Sequence, residues 1–472
     1  MVARQAVVDA GRALDSFLAL RHGLDRVPGV QAAVLHDGEV VTSVAHGVAD
    51  VDTGRPLTTD HRFRIASHSK TFTATAVAQL AERGRLRLDD SVATWIPHLA
   101  SAGIGAATLR ELLAHGAGII RDGWDGDHWQ LVRPFPDAAR LAAIGADDAA
   151  VLARNERFKY SNIGFALLGA IVEAASGQPY AEYVRRELLE PLGLAATTPD
   201  IDPDAAGDHA TGHTGLATGA RRIPIDHVAT GAMAAATGFS STATDVVRWA
   251  AAHFLGDSRI ISDDTKRMMQ RTEWTVAGGA GEYGLGFAIA DVGGHRVLGH
   301  GGGFPGFITR TWFDPAERWA VAVLTNAIDG PALAYANVAV RLIDLAGHPP
   351  PERPPVEAPS RFTGRFATLW GVVDIVTLGE RLYAIDPTQP DPLAAPQHLD
   401  VVDDDTLRIV EAPGYASPGE LVRYQRAADG SPRSVRIGAA TARPIAGYAA
   451  WIAGRDRIRR DDGEENERRS AR

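Results

Sequence analysis

The chain contains no cysteine. That excludes a thiolate nucleophile, disulfide staples, iron–sulfur clusters and thiolate zinc sites. Lysine is nearly as scarce: Lys70, Lys159 and Lys266 are the three lysines, against 45 arginines. A codon bias that turns surface lysine into arginine accounts for the excess of arginine. The exchange has a chemical limit, because arginine cannot act as a proton acceptor near neutral pH whereas lysine can. No run of ~18 apolar residues occurs, so no membrane-spanning helix is expected. A net charge of −10 and a pI near 5.9 provide no basic excess for nucleic acid. The opening stretch carries Arg4, Asp9, Arg12 and Asp15 where a secretory leader needs an uncharged core. It reads as an amphipathic helix of the mature chain, and a cytoplasmic location is expected with it.

What is present suits a globular protein of two domains: 472 residues, 45% hydrophobic and 22% charged. Ala6, Ala10, Ala13, Leu14, Phe17 and Leu18 share one face of the first helix pattern. VQAAVLH and EVVTSVAH flank Asp37-Gly38, a strong hairpin signal. Helical patterns dominate from about residue 67 to 270, and strands return as HRVLGH, FITRTWF and WAVAVLTN before a helix pattern from Ala332 to Leu345. Two early strands and three late ones suggest one discontinuous antiparallel sheet. The expected class is therefore α/β of the α+β kind, with a sheet flanked by terminal helices and an α-rich lobe inserted into it. HPPPERPPVEA reads as a stiff linker over 347–359, which closes a first domain at 1–346. Short strands such as VVDIVTL, RLYAI and LVRYQR then predict a small antiparallel β-barrel over 360–454. Residues 455–472 form a mixed-charge tail, read as disordered.

Three segments carry chemistry. In Ser67-His68-Ser69-Lys70 the lysine opens a helix pattern that stops near Gly84. This places Ser67 at a helix start with an amine one turn on. The hydroxyl is a nucleophile, the amine can take its proton, and the helix end favours developing negative charge. The competing reading is an N-cap serine followed by a solvated lysine. Tyr160-Ser161-Asn162 precedes a second helix pattern. There a tyrosine can relay a proton and an asparagine can hold a substrate amide, or the segment is only a capping turn. A second Tyr-x-Asn, at Tyr335–Asn337, lies inside a helix pattern and reads as core. The third segment is His300-Gly301-Gly302-Gly303-Phe304-Pro305-Gly306. Its glycines match G-x-G-x-x-G in form, but Pro305 and the following strand exclude a dinucleotide site. A glycine-rich strand end lets a ligand approach the backbone, whose N–H groups can stabilise an oxyanion. No G-x-S-x-G, H-E-x-x-H or G-K-[ST] occurs.

The order Ser67-x-x-Lys70, Tyr160-x-Asn162, His300-Gly301-Gly302 resembles the serine β-lactamase and penicillin-binding-protein-like superfamily. It is most similar to the class C-like, CubicO-type esterase and D-aminopeptidase branch. TLRELLAHGAGI (108–119), PLGL (191–194), STATDVVRWA (241–250) and YGLGF (283–287) extend the likeness over about residues 10–345. The resemblance implies Ser67 as the acylated nucleophile and Lys70 and Tyr160 as shared acid and base. It also implies backbone N–H groups of Ser67 and Gly303 as the oxyanion hole. Asn162, His300, Gly301 and Gly302 would contact substrate. Trp124 and Trp129, in the stretch Arg121 to Asp137, would line a pocket or else form a satellite core. His300 stands where β-lactamases and transpeptidases have lysine, and a mostly neutral imidazole anchors a substrate carboxylate less well. The departure favours esters, amides or amino-terminal peptide substrates, with D-amino-acid peptides or esters foremost. A peptidyl thioester cyclase or hydrolase, or a penicillin-recognising binder with little turnover, are the alternatives. The barrel resembles lipocalin-like domains that help shape the acyl cleft in some members. Neither cofactor nor metal is implied. The expected partner is a small molecule or peptide, with no nucleic acid and no membrane; oligomeric state is left open. His115 reads as structural, His68 and Ser69 as pointing away from Ser67, and Lys266 as a surface residue.

Overall fold

A computed structural model describes residues 1–146, 149–348, 355–413 and 417–454. The chain divides into two units, Met1–Asp344 and Leu345–Arg472.

The first unit is organised by an eight-stranded antiparallel sheet. Strands Gly29–His36 and Glu39–Gly47 meet at Asp37-Gly38, both with positive φ (48° and 85°), the turn that matches strand twist. Gly29–His36 then pairs with the distant strand Trp319–Thr325, with Ala33 opposite Ala322. The sheet continues through Phe307–Asp314 and His295–Phe304 to Ala288–Val292. The discontinuous sheet read from the sequence is therefore present, and it is wider than expected. Beyond Ala288–Val292 it adds Glu282–Tyr283 and Trp274–Thr275, strands of two residues that are too short to show an alternating pattern.

Helix Arg4–Leu24 buries the six residues predicted for its apolar face. Its Phe17 meets Tyr335 of helix Ala332–Gly347 edge to face at 5.7 Å, so the two terminal helices share a layer. Tyr335 is buried and donates to Asp25 Oδ2 at 2.6 Å. The α-rich lobe is built around helices Ser69–Glu82 and Asn162–Ser176, while helix Ala243–Ala251 packs on the sheet against strands Gly29–His36 and Trp319–Thr325. Helix Ser69–Glu82 is buried nearly all round, with Phe72 stacked on Trp249 at 3.9 Å and Phe239 at 4.5 Å. Among the described residues no helix is long and apolar enough to cross a membrane.

The second unit is a closed barrel of eight strands in sequential order, from Gly364–Thr368 to Ala440–Pro444. Its interior is filled by alternating residues, among them Phe366, Ile375, Leu382, Leu407, Val422 and Val435. Tyr424 is buried with its hydroxyl donating to the Phe362 carbonyl at 2.6 Å. Of the predicted linker, residues 349–354 lie outside the described residues, as does the predicted tail 455–472.

Candidate active site

Strand Phe63–Arg64 runs into a single 3₁₀ turn, Ala66–His68, and then into helix Ser69–Glu82. Ala66 takes a φ of 49°, a left-handed conformation costly for a residue with a Cβ. This bend leaves Ser67 half-buried in a run of otherwise buried residues. His68 turns into the sheet, where Nδ1 donates to the Ile65 carbonyl (2.9 Å) and Nε2 accepts from the Thr311 hydroxyl (2.8 Å). Burial pushes its pKa down to about 4. Ser69 Oγ accepts from the Phe239 N–H at 3.1 Å. Neither side chain faces Ser67.

Lys70 is fully buried. Its Nζ lies 3.2 Å from Ser67 Oγ, 2.7 Å from Asn162 Oδ1 and 2.8 Å from the Ala236 carbonyl. All three are neutral oxygens. Burial holds the amine well below its ordinary pKa, opposed by the charge of Asp122 and reinforced by Arg121. Tyr160 donates its hydroxyl to Ser67 Oγ at 2.8 Å, and burial raises its pKa, so the phenol keeps its proton. Ser67 thus sits between an amine whose charged form burial disfavours and a phenol that keeps its proton.

The segment after Tyr160 divides its duties. Ser161 is the N-cap, accepting from the Gly164 N–H (2.9 Å) and donating to the Ile120 carbonyl (2.7 Å). Asn162, the first helical residue, reaches the site. His115, at φ 59°, accepts from the Ser161 N–H at 3.1 Å and lies 4.3 Å, ring to ring, from Tyr160. Burial holds its imidazole neutral.

Opposite the turn runs strand His295–Phe304. A Cβ at Gly302 would lie 2.2 Å from the Ile65 carbonyl, so only glycine lets the strand pass this close to the serine turn. Its ladder to Ala288–Val292 stops at Gly299, and Gly303 is exposed. His300 is buried, with Nδ1 donating to the Gly301 carbonyl (2.6 Å) and Nε2 accepting from Tyr283 (3.1 Å). Burial drives its pKa well down, so this position carries no cation.

Ser67, Lys70, Tyr160, Asn162, His300 and Gly301–Gly303 therefore belong to one neighbourhood. Trp129 joins its edge, half-buried, with its ring 5.9 Å from Phe304. Trp124 is 68% exposed and makes no ring contact among the described residues. Lys266 is not a surface residue as the sequence suggested. It is fully buried, with Nζ donating to the carbonyls of Phe254 (2.8 Å) and Asp257. Three site groups escaped the sequence reading. Asp122 lay inside the stretch Arg121 to Asp137 and Tyr283 inside YGLGF, while the Ala236 carbonyl leaves no sequence signal.

An antiparallel sheet facing a helical lobe, with Ser-x-x-Lys at the head of a buried helix between them, defines a serine hydrolase. The Beta-lactamase family model matches residues 18–345, and the chain belongs to that family. It is 32% identical to Penicillin-binding protein 4 of Amycolatopsis lactamdurans over 353 residues, which covers 70% of this chain and 90% of that protein. It is 26% identical to the D-aminopeptidase of Brucella anthropi over 360 residues, which covers 75% of this chain and 66% of that protein. Among solved structures it resembles SurE at 28% identity and a TM-score of 0.61, covering 93% of this chain and 99% of that one. A D-stereospecific amidohydrolase from Streptomyces sp. is similar at 25% identity and a TM-score of 0.59, covering 71% and 98%.

Proposed function

We propose that the chain cleaves ester or amide bonds through an acyl-enzyme on Ser67, with D-amino-acid peptides, amides or esters as preferred acyl donors. The observation that carries this reading is the Lys70 amine, fully buried, bonded to neutral oxygens and 3.2 Å from Ser67 Oγ. The Ser67 proton passes to Nζ as Oγ bonds to the acyl carbon. The carbonyl becomes an oxyanion received by the backbone N–H groups of Ser67 and Gly303. Tyr160 gives its proton to the departing amine or alkoxide and recovers one from the Lys70 ammonium. Water or an amine then attacks the acyl ester, its proton passing to the same pair, and Ser67 is released. Gly301, Gly302, Trp124 and Trp129 are the proposed substrate contacts. A neutral His300 is a weak anchor for a carboxylate, which disfavours β-lactams and carboxypeptidase substrates. The preference for D-configured donors draws on the relatives named as a D-aminopeptidase and a D-stereospecific amidohydrolase.

The test is a panel of p-nitrophenyl esters, D- and L-aminoacyl p-nitroanilides, a chromogenic cephalosporin and a peptidyl thioester, run on wild type and Ser67→Ala. Turnover is expected with D-aminoacyl or ester donors and absent in Ser67→Ala, with an acyl adduct on the wild type by intact mass. Turnover that survives Ser67→Ala refutes the mechanism. Stable acylation without turnover identifies a binder instead.

A further inference from the structure

The mechanism above leaves one carboxylate of the site without a task. Asp122 Oδ1 accepts from Asn162 Nδ2 at 2.6 Å and from Trp129 Nε1 at 2.9 Å, and Oδ2 pairs with Arg121 Nε at 3.2 Å. An ionised carboxylate only accepts hydrogen bonds, whereas an amide side chain has one donating end and one accepting end. The carboxylate therefore decides which way Asn162 is turned. With Nδ2 toward Asp122, Oδ1 faces Lys70 Nζ at 2.7 Å. With the amide reversed, two acceptors would meet at one end and two donors at the other. Both ends of Asn162 are thus engaged inside the protein.

We propose that Asp122 is a positioning residue for the Ser67–Lys70 pair, holding the Asn162 amide so that its oxygen keeps the Lys70 amine over Ser67 Oγ. The inference rests on Lys70 acting as the base. It reassigns Asn162 from the substrate to the amine, and it ties the aromatic wall at Trp129 to the same carboxylate. Asp122 also acts through charge. The groups around Lys70 are Asp122 and Arg121 from the loop after His115, the Tyr160 phenol, and the neutral imidazoles of His115 and His300. The segment Ala234–Thr237 contributes a carbonyl and no ionisable side chain. Asp122 is the one negative charge in this set, so its removal lowers the pH at which the amine loses its proton.

Two variants separate orientation from charge. Asp122→Asn keeps an oxygen for Asn162 Nδ2 and drops the charge. Asp122→Leu drops both. With a p-nitrophenyl ester, Asp122→Asn is expected to shift the acidic limb of kcat/KM to lower pH while keeping kcat within about tenfold. Asp122→Leu is expected to lose about 10–100-fold in kcat with KM within about threefold, since a displaced base slows chemistry more than binding. An Asp122→Asn profile that superimposes on wild type overturns the proposal, as does a Leu variant whose whole loss lies in KM. Melting curves show whether the Leu variant folds; where it does not, the pH profile of the Asn variant decides alone. Ser67→Ala runs beside them. Activity surviving there refutes the acyl-enzyme reading itself, whereas an inactive Ser67→Ala beside an unaltered Asp122→Asn refutes only the role of Asp122.

Discussion

A lysine in water keeps its proton to about pH 10.4, and a protonated amine takes no proton from serine. Burial works against this at Lys70, because the cost of desolvation falls on the charged form. Activity should therefore rise through an acidic limb lying well below the ordinary lysine pKa, as the amine becomes neutral. It should hold on the alkaline side, because burial keeps the Tyr160 phenol protonated. Lys70→Arg keeps a cation and loses the base, so kcat should fall about 10²–10⁴-fold. Measuring kcat/KM against pH for both proteins with a p-nitrophenyl ester checks the limb and the loss together; an arginine variant within tenfold of wild type would rule out Lys70 as the base. The scarcity of lysine made Lys70 conspicuous, and Ser67, Tyr160 and Asn162 were legible because each lies in a short local pattern. Lys266 shows the limit of that kind of reading. Its burial comes from the Phe254 and Asp257 carbonyls, 12 and 9 residues earlier, which nothing beside it in the chain announces. Asp122 escaped for a similar reason, since its partner Asn162 lies 40 residues on.

At the level of elements, the sequence left Tyr160-Ser161-Asn162 open between a capping turn and a catalytic segment, and the geometry accommodates both. Ser161 terminates the helix, and that cap fixes where its neighbours go. Ser161→Ala removes the acceptor for the Gly164 N–H and the donor to the Ile120 carbonyl, both inside the protein. Loss of such a cap costs about 1–2 kcal/mol, which urea unfolding would measure. Because the Ser161 N–H still donates to His115, Tyr160 should stay in register and kcat should change less than about tenfold. A variant as stable as wild type would mean the cap carries no weight. Long patterns such as helix Ser69–Glu82 and the Asp37-Gly38 hairpin were legible because helical and strand periods repeat within them. The strands at Trp274–Thr275 and Glu282–Tyr283 were not, because two residues hold no period and only the neighbouring strand makes them extended.

At the scale of the whole molecule, every group proposed for the chemistry belongs to the first unit: Asp122, Ser67, Lys70 and Tyr160 on the side of its lobe, His300 and Gly303 on its sheet. The barrel closes on itself and fills its interior with its own residues, Phe366, Leu382, Leu407 and Val422 among them. Each unit thus has the core that independent folding requires. Helix Ala332–Gly347 packs Tyr335 against Phe17 of the first helix, so a truncation must keep it whole. A fragment of residues 1–348 should fold and hydrolyse a small p-nitrophenyl ester with kcat within about tenfold of the full chain, since such a substrate needs only the groups that form and split the acyl ester. A fragment of residues 355–454 should melt in a single cooperative transition, with an enthalpy near 0.7 kcal/mol per residue. A 1–348 fragment that melts cooperatively yet forms no adduct on Ser67 would show that the barrel supplies a part the chemistry requires. If instead the small ester is turned over normally and a longer D-peptide is not, the barrel acts on the reach of the acyl chain and the reactive centre is complete without it.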